Sequence, residues 1–344
     1  MAGLIFDGHN DALSRLWGAM GDPVEIFGAA KGHVNVPECA AGGMKGGFFA
    51  LYSPMRRIVF DFTQAFNLDM LTKPMPAIDE DFALVSAIGQ AAIAQKLQEA
   101  GHLQIVTDGA SLARSFVADP VHREGADCIG PDLLALDALY ALGLRSLGPV
   151  WSRPTIFGDG VPFAFGRDGD IGDGLTDDGK RLVARCHALN IMIDTAHLNT
   201  KGFWDVAEAG RPLVATHSNT LAHCMSSRNL DDAQLKAIGE TGGMVGVNFG
   251  TVFLDEAAWE DGRCDIDAVV RHLGHMVETA GEDAVGIGSD FDGAPLPNGM
   301  ASAADLPKLV DAMGDAGFGD ALIAKITHEN WLAFLGRHFD GGTP

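Results

Sequence analysis

The sequence is poor in positive charge. It contains 24 Lys and Arg residues against 46 Asp and Glu residues, which gives a formal net charge of −22 at pH 7. Proteins that bind nucleic acid need a basic face for the phosphates, and an anionic membrane surface attracts the same kind of face. The composition therefore argues against nucleic acid and against a membrane surface as partners.

Long apolar runs and paired cysteine motifs are also missing. No stretch reaches the ~20 apolar residues that a transmembrane helix needs, and the first residues, MAGLIFD, lack the basic and apolar segments of a signal peptide. The cysteines are odd in number, scattered and without a CxxC pair, which is typical of reduced thiols. We expect a cytoplasmic protein in which five cysteines are buried thiols: Cys39, Cys128, Cys186, Cys224 and Cys264.

Hydrophobic residues, by contrast, make up 47% of the 344 residues, which allows a large core. Short apolar runs alternate with segments of helical periodicity, and this pattern predicts one (β/α)8 barrel domain over residues 1–344. The expected strands lie near residues 4–6, 47–52, 103–106, 144–150, 191–193, 213–215, 244–247 and 285–287. The clearest helices are expected over residues 82–100, 179–189, 231–240, 266–280 and 302–316, with an N-cap at Asp231.

One segment, residues 151–176, does not fit this alternation. It is rich in Gly, Asp and Pro and has little periodicity. Loops of this length in a compact domain are usually functional or disordered. We interpret it as a long excursion after the fourth strand.

Polar residues follow several of the predicted strands. His9 and Asp11 follow the first strand, His197 follows the fifth, His217 follows the sixth and Asp290 follows the eighth. Because the C-terminal strand ends of a (β/α)8 barrel converge on one mouth, these residues are expected to meet there. Imidazole and carboxylate ligands suit a divalent metal such as zinc. Asp290 is a candidate for proton transfer. The candidate metal ligands are His9, Asp11, His197 and His217.

Each of these residues has an ordinary alternative. A His-x-Asp pair is common without a metal, His197 suits a helix cap or the surface, and His217 suits an N-cap turn. Asp290 and Asp292 also suit a calcium-like turn. The coincidence of four such residues at separate strand ends favours the metal site. The remaining histidines are interpreted as helix, loop or surface residues: His33, His102, His122, His187, His223, His272, His275, His328 and His338.

Seven short motifs are spread over nearly the whole chain. They are DGHND (7–11), GGMKGGFF (42–49), IDTAH (193–197), THSN (216–219), SSRN (226–229), GIGSDFDG (286–293) and HENWL (328–332). Together and in this order they resemble the membrane dipeptidase (renal dipeptidase) family of zinc metallopeptidases, in the amidohydrolase-like superfamily.

The resemblance implies a homodimeric dipeptidase with two zinc ions at the barrel mouth, bridged by a glutamate and a hydroxide. His9 and Asp11 would hold one ion, and His197 and His217 the other. The zinc-bound hydroxide would attack the peptide carbonyl of a small dipeptide, often with a D-residue at its C-terminal side. Asp290 would carry the proton to the leaving amine. The resemblance also implies that Arg228 grips the terminal carboxylate of the substrate.

Three departures from the family pattern are expected to matter. The bridging glutamate falls on Thr107, with Asp108 adjacent, in the segment VTDGA (106–110). Trp151 stands in place of a histidine that is thought to stabilise the tetrahedral intermediate, and we interpret it as a substrate-pocket residue. Gly250 stands in place of a tyrosine and would reshape the pocket.

These departures keep other functions open. A mononuclear amidohydrolase acting on N-acyl amino acids or other small amides is the nearest rival, because Thr107 offers no bridge between two metals. A catalytically impaired barrel that binds a ligand or a partner chain is a second rival. A phosphate-ester hydrolase on the same scaffold is a weaker one, since little positive charge is on hand for its substrate.

Overall fold

Eight parallel strands form the centre of the molecule in the order β5-β4-β3-β2-β1-β8-β7-β6. A parallel bridge between Asp194 and Val214 joins the two ends of this order, so the sheet is a nearly closed barrel, as predicted. The computed structural model describes residues 4–54, 72, 75–114 and 121–341. The strands are β1 (Ile5–Asn10), β2 (Met44–Tyr52), β3 (Val121–Glu124), β4 (Leu144–Leu147), β5 (Met192–Ile193), β6 (Val214–Ala215), β7 (Met244–Val247) and β8 (Val285–Ile287).

Helices lie between successive strands and after the last one. Among the described residues, none of them is both long and apolar enough to span a membrane. They are α1 (Ala12–Gly18), α2 (Pro23–Gly28), α3 (Val36–Gly42), α4 (Glu80–Glu99), α5 (Gly109–Arg114), α6 (Leu134–Ala141), α7 (Asp177–Ala188), α8 (Thr200–Ala207), α9 (Asp232–Glu240), α10 (Thr251–Leu254), α11 (Ala258–Asp261), α12 (Asp267–Ala280), α13 (Leu306–Asp315), α14 (Asp320–Ala324) and α15 (Asn330–Phe339).

The predicted start of α9 is confirmed in detail. Asp231 is its N-cap and accepts a hydrogen bond from the Gln234 backbone N–H at 2.8 Å. The Gln234 side chain accepts a hydrogen bond from the Asp231 N–H at 3.0 Å in return. This capping box satisfies two backbone donors that a helix end otherwise leaves open.

The third strand was predicted in the wrong place. Residues 103–106 form no strand of the barrel, although Leu103, Ile105 and Val106 are buried. The strand is Val121–Glu124 instead, and it pairs with β2 and β4. A short apolar run indicates burial but does not show that the segment is a strand. The strand VHRE has no apolar run, because its polar side chains face other polar groups inside the protein.

Large apolar side chains fill one end of the barrel. The rings of Phe6 and Phe48 lie 5.9 Å apart in an edge-on arrangement, and Trp331 from α15 packs 5.4 Å from Phe48. Met192 and Met244 belong to the same buried cluster. The barrel is therefore a packed core at this end, and polar side chains collect at the opposite one.

The long excursion, residues 151–176, covers part of that opposite end. It contains isolated bridges and no helix or named strand. The Val161 N–H donates to the His197 carbonyl at 2.8 Å, and the Ser227 N–H donates to the Ala164 carbonyl at 2.9 Å. These bonds fasten the excursion across the strand ends that carry His197 and the SSRN turn.

Candidate active site

Glu124 lies at the centre of a cluster of side chains from the carboxyl ends of the strands. Its Oε1 is 2.7 Å from His197 Nε2, 3.7 Å from His217 Nε2 and 3.9 Å from His9 Nε2. The four residues come from, or directly follow, β3, β5, β6 and β1, and all are buried. Convergence of strand ends at the barrel mouth thus brings together residues far apart in the sequence.

Two carboxylates extend the cluster on the side of His9. Asp11 Oδ2 is 3.5 Å from His9 Nε2, and ligand atoms of His9, Asp11 and Asp290 all lie within 4.8 Å of one another. Gly293 makes this approach possible, since a Cβ at that position would collide with the carboxylates of both aspartates. The predicted convergence of His9 and Asp11 is confirmed.

Hydroxyl groups orient the two histidines on the other side. Ser152 Oγ pairs with His197 Nδ1 at 2.8 Å, and Thr216 Oγ1 pairs with His217 Nδ1 at 2.8 Å. Both Nε2 atoms therefore face the cluster, 3.0 Å from each other. Such outer partners fix the tautomer and orientation of metal-binding imidazoles.

The charges of the cluster suit a cation. Burial lowers the pKa of His197 and of His217 well below the usual range, which leaves neutral rings with a lone pair on one nitrogen. Burial disfavours charge on His9, but the facing carboxylates of Glu124 and Asp11 outweigh burial and raise its pKa to about 10. Burial raises the pKa of Glu124. A metal ion would replace the proton that these crowded carboxylates otherwise draw.

Several polar atoms of the cluster also have no hydrogen-bond partner within the described part of the chain. They are both ring nitrogens of His9 and Oδ1 of Asp11. Buried polar atoms are almost always satisfied, so exceptions call for an explanation. Imidazole nitrogens and carboxylate oxygens together are the donor set of zinc, and the residues present fit that metal.

Arg228 and Asp290 lie at the edge of the same cluster. Arg228 is buried, and its Nη2 is 3.4 Å from His197 Nε2 and donates to the His217 carbonyl at 3.2 Å. Burial lowers its pKa to about 10, so it stays charged at neutral pH. Asn248 Nδ2 donates to Asp290 Oδ2 at 2.9 Å, and burial raises the pKa of Asp290.

Asp292 belongs elsewhere. It shares with Asp290 a positive φ, +64° against +60°, but its carboxylate turns away from the cluster. Oδ2 lies 3.0 Å from Arg15 Nε, and Oδ1 accepts a hydrogen bond from the His33 N–H at 2.7 Å. Asp292 thus anchors the segment before α3 and takes no part in a turn around a cation.

Trp151 lines the mouth beside the histidines. Its ring centroid is 5.8 Å from that of His197, 5.6 Å from Phe163 and 5.2 Å from Tyr52. Gly250 lies across the mouth, where its N–H donates to Asn248 Oδ1 at 2.5 Å. A Cβ at Gly250 would lie 2.9 Å from both that oxygen and the Phe253 ring, so the small residue lets Asn248 and Phe253 close up.

The expectation that the bridge position falls on Thr107, with Asp108 adjacent to it, is wrong. Thr107 lies near Gly143, before β4 begins, and therefore at the amino end of the barrel. Asp108 Oδ1 accepts a hydrogen bond from the Ser111 N–H at 2.6 Å. The position that faces the cluster belongs to Glu124.

Two residues of the third strand were missed in the sequence. Glu124 precedes Gly125, whose φ of +76° is a turn conformation that glycine favours, and the pair Glu-Gly was the available signal. His122 was interpreted as a helix, loop or surface residue, but it is fully buried on β3. Its Nδ1 pairs with Ser146 Oγ at 2.8 Å, and its Nε2 lies 3.4 Å from Asp194 Oδ2.

Residues 2–337 match the family model described as Membrane dipeptidase (Peptidase family M19). The chain belongs to this family. A metallopeptidase from Rhodobacter sphaeroides, liganded with a phosphinate mimic of the dipeptide L-Ala-D-Ala, is 43% identical with a TM-score of 0.91; the alignment covers 98% of this chain and 100% of that one. The metallopeptidase dipeptidase AC is also 43% identical, with a TM-score of 0.90 and coverage of 98% and 99%.

One relative in the sequence comparison comes from Klebsiella pneumoniae. It is an uncharacterized protein in the pqqA 5′ region, 40% identical over 253 residues that cover 72% of this chain and 93% of that protein. Membership of the membrane dipeptidase family confirms the resemblance that the sequence motifs indicated. The high TM-score with a solved metallopeptidase structure supports the barrel fold.

Proposed function

We propose that the protein is a metal-dependent dipeptidase that hydrolyses small dipeptides, including those with a D-residue at the C-terminal side. The observation that carries this proposal is the convergence of three histidines and two carboxylates around Glu124, enclosed at the mouth with a buried arginine. The related peptidase that holds a mimic of L-Ala-D-Ala supports both the dipeptide and the D-residue.

Two zinc ions suit the donor set. His9, Asp11 and Glu124 would hold one ion, and His197, His217 and Glu124 the other, with Glu124 between them. When bound, two such ions would lower the pKa of a water molecule and polarise the scissile carbonyl. The single-metal amidohydrolase was favoured because Thr107 cannot bridge two metals. Glu124 supplies a carboxylate for that role, which favours the two-metal dipeptidase.

Arg228 and Asp290 would act on two groups of the substrate, its terminal carboxylate and its leaving amine. The Nε of Arg228 has no hydrogen-bond partner among the described residues, and the guanidinium would bind the C-terminal carboxylate of the dipeptide. A hydrogen bond from Asn248 orients Asp290, and burial raises its pKa. The Asp290 carboxylate would accept a proton and pass it to the leaving amine. Trp151 would form a wall of the substrate pocket.

A panel of dipeptides tests this function. The zinc-loaded protein is incubated with L-Xaa-L-Xaa, L-Xaa-D-Xaa and N-acyl amino acids, with a chelator-treated sample as the control. We expect chelator-sensitive cleavage of dipeptides and none of N-acyl amino acids. No cleavage by the folded, zinc-loaded protein would contradict the proposal and favour the barrel that binds a ligand.

The cytoplasmic location and the homodimer stay predictions.

A further inference from the structure

Tyr52 is placed beside the candidate metal cluster by the register of the barrel. It ends β2, and its Cα partner on β3 is Glu124. Paired residues on neighbouring strands present their side chains to the same face of a sheet. The Tyr52 ring therefore lies on the face of Glu124, and it packs 5.2 Å from Trp151, whose ring faces His197.

The hydroxyl of Tyr52 is buried, and its proton has no acceptor in the part of the chain that the structure describes. The guanidinium carbon of Arg153 lies 5.5 Å from the Tyr52 ring centroid and 5.1 Å from that of Trp151. Arg153 acts on the phenol oxygen as a positive charge and as a hydrogen-bond donor, and both effects lower the pKa of Tyr52 against the larger effect of burial. Arginine only donates, so the Tyr52 proton stays available next to the cluster.

Asp127 holds Arg153 in a fixed orientation. Its two carboxylate oxygens lie 2.8 Å from Nε and 3.1 Å from Nη2 of Arg153, and Nη2 also donates to the Ser53 carbonyl at 2.8 Å. All three contacts use the other side of the guanidinium and leave Nη1 out. This two-pronged pair is rigid, because Arg and carboxylate geometries match.

Peptide hydrolysis creates a need for such donors. As water adds to the peptide carbonyl, negative charge develops on the carbonyl oxygen, and donors fixed in advance in a buried site stabilise that charge. We propose that the Tyr52 hydroxyl, positioned by Arg153, donates a hydrogen bond to this oxygen and is a catalytic residue of the proposed dipeptidase. The inference rests on that proposed function.

Tyr52 keeps its proton throughout this step, and no bond to it forms or breaks. Burial raises the pKa of its phenol, which keeps the group a neutral donor across the working pH range. Arg153 is a positioning residue, since it acts through Tyr52. Trp151 contributes the wall against which both side chains pack.

Tyr52→Phe removes only the hydroxyl and tests the inference. We expect kcat for L-Ala-D-Ala to fall about 100-fold or more, the usual effect of losing one such donor, with KM changed much less. Calorimetric affinity for the phosphinate mimic should fall by the same factor as kcat/KM, because the mimic resembles the transition state. Zinc content and thermal midpoint should match those of the parent protein.

The chain offers a matched control and a second variant. Tyr140→Phe removes the only other tyrosine hydroxyl, on α6, where Arg145 packs 4.2 Å from the ring, and should change neither kcat nor phosphinate affinity. Arg153→Lys should lower kcat less than Tyr52→Phe does. The double variant should be no slower than Tyr52→Phe, because positioning without the hydroxyl has no effect.

Two results would overturn the inference while the proposed function stands. One is a Tyr52→Phe enzyme with parental kcat and phosphinate affinity. The other is a Tyr52→Phe protein that loses zinc or stability in step with activity, which would make the hydroxyl structural. A parent protein that neither cleaves dipeptides nor binds the phosphinate would overturn the proposed function and the inference with it.

Discussion

Glu124 Oε1 lies 2.7 Å from His197 Nε2, and this contact joins the third strand to the fifth across the barrel mouth. The two residues are far apart in the sequence. Glu124 Oε1 also faces the Nε2 atoms of His9 and His217. One carboxylate between two groups of ligands is the arrangement that allows two cations to sit close together, since its negative charge offsets their repulsion.

Replacement of Glu124 by Gln should therefore weaken zinc binding at the barrel mouth. We predict that Glu124→Gln binds less than one zinc ion per chain and loses at least ~100-fold in kcat, since an amide neither balances the cations nor bridges them. Zinc analysis after dialysis and dipeptide assays measure both effects. Asp108→Asn is the matched control: it makes the same kind of change at the carboxylate next to Thr107, where the sequence placed the bridge, and it should behave like the parent protein.

The two histidines opposite His9 are expected to be ligands. His197→Ala and His217→Ala should each lose zinc and turnover while the protein stays folded, because each removes one metal-binding nitrogen and leaves the rest of the barrel unchanged. Circular dichroism and zinc analysis separate loss of metal from loss of fold. His275→Ala, which removes a histidine paired with Asp232 on the surface, should retain both zinc and activity. Full activity in either ligand variant would refute the assignment.

Asp290 and Asp292 should differ sharply despite their similar backbone. Asp290→Asn should lower kcat by ~100-fold or more, since an amide cannot accept the proton. Asp292→Asn should leave kcat unchanged and lower the free energy of unfolding by about 1–3 kcal/mol, because it weakens the contact with Arg15 and the hydrogen bond from His33. Urea unfolding and steady-state assays on both variants check the contrast. Equal effects on kcat would show that the assignment of Asp290 is wrong.

His272 predicts a pH dependence of stability. It is buried on α12, accepts a hydrogen bond from the Thr220 N–H and lies 2.9 Å from the Leu254 carbonyl; burial lowers its pKa to about 3. Its ordinary pKa is ~6.5, so below that pH the unfolded chain binds a proton that the folded chain does not. The contribution of His272 to stability is complete above pH ~6.5 and is lost as the pH falls toward 3.

The measurement is the free energy of unfolding of zinc-free protein between pH 7 and pH 4. His272→Gln should be less stable at pH 7 but should lose stability less steeply on acidification, by up to ~1.4 kcal/mol per pH unit. His275→Gln provides the comparison on the same helix. Parallel pH curves for His272→Gln and the parent protein would contradict the prediction.

Seven strands could be predicted from the sequence because each carries an apolar run long enough to signal burial. β3 could not, because three of its four side chains are polar and meet their partners only in the tertiary structure. Arg123 is fully buried and donates to Ser53 Oγ at 2.8 Å, and His122 pairs with Ser146. The apolar run at 103–106 is buried without forming a strand of the barrel, and it took the place of β3 in the prediction.

The same error decided what was missed in the site. His9, Asp11, His197, His217 and Asp290 were placed at the mouth because the strands before them were predicted correctly. Glu124 was missed because its strand was missed. The position of Tyr52 beside Arg153 and Glu124 is visible only in three dimensions, since it depends on which side chains the fold brings together.

The most direct test is a zinc titration of chelator-stripped protein, followed by L-Ala-D-Ala hydrolysis at each zinc level. We predict no activity without metal and a rate that rises to a plateau at two zinc ions per chain. A plateau at one ion would contradict the role of Glu124 between two metals. Absence of hydrolysis at every zinc level, or full hydrolysis by the stripped protein, would show that the protein is not a metal-dependent dipeptidase.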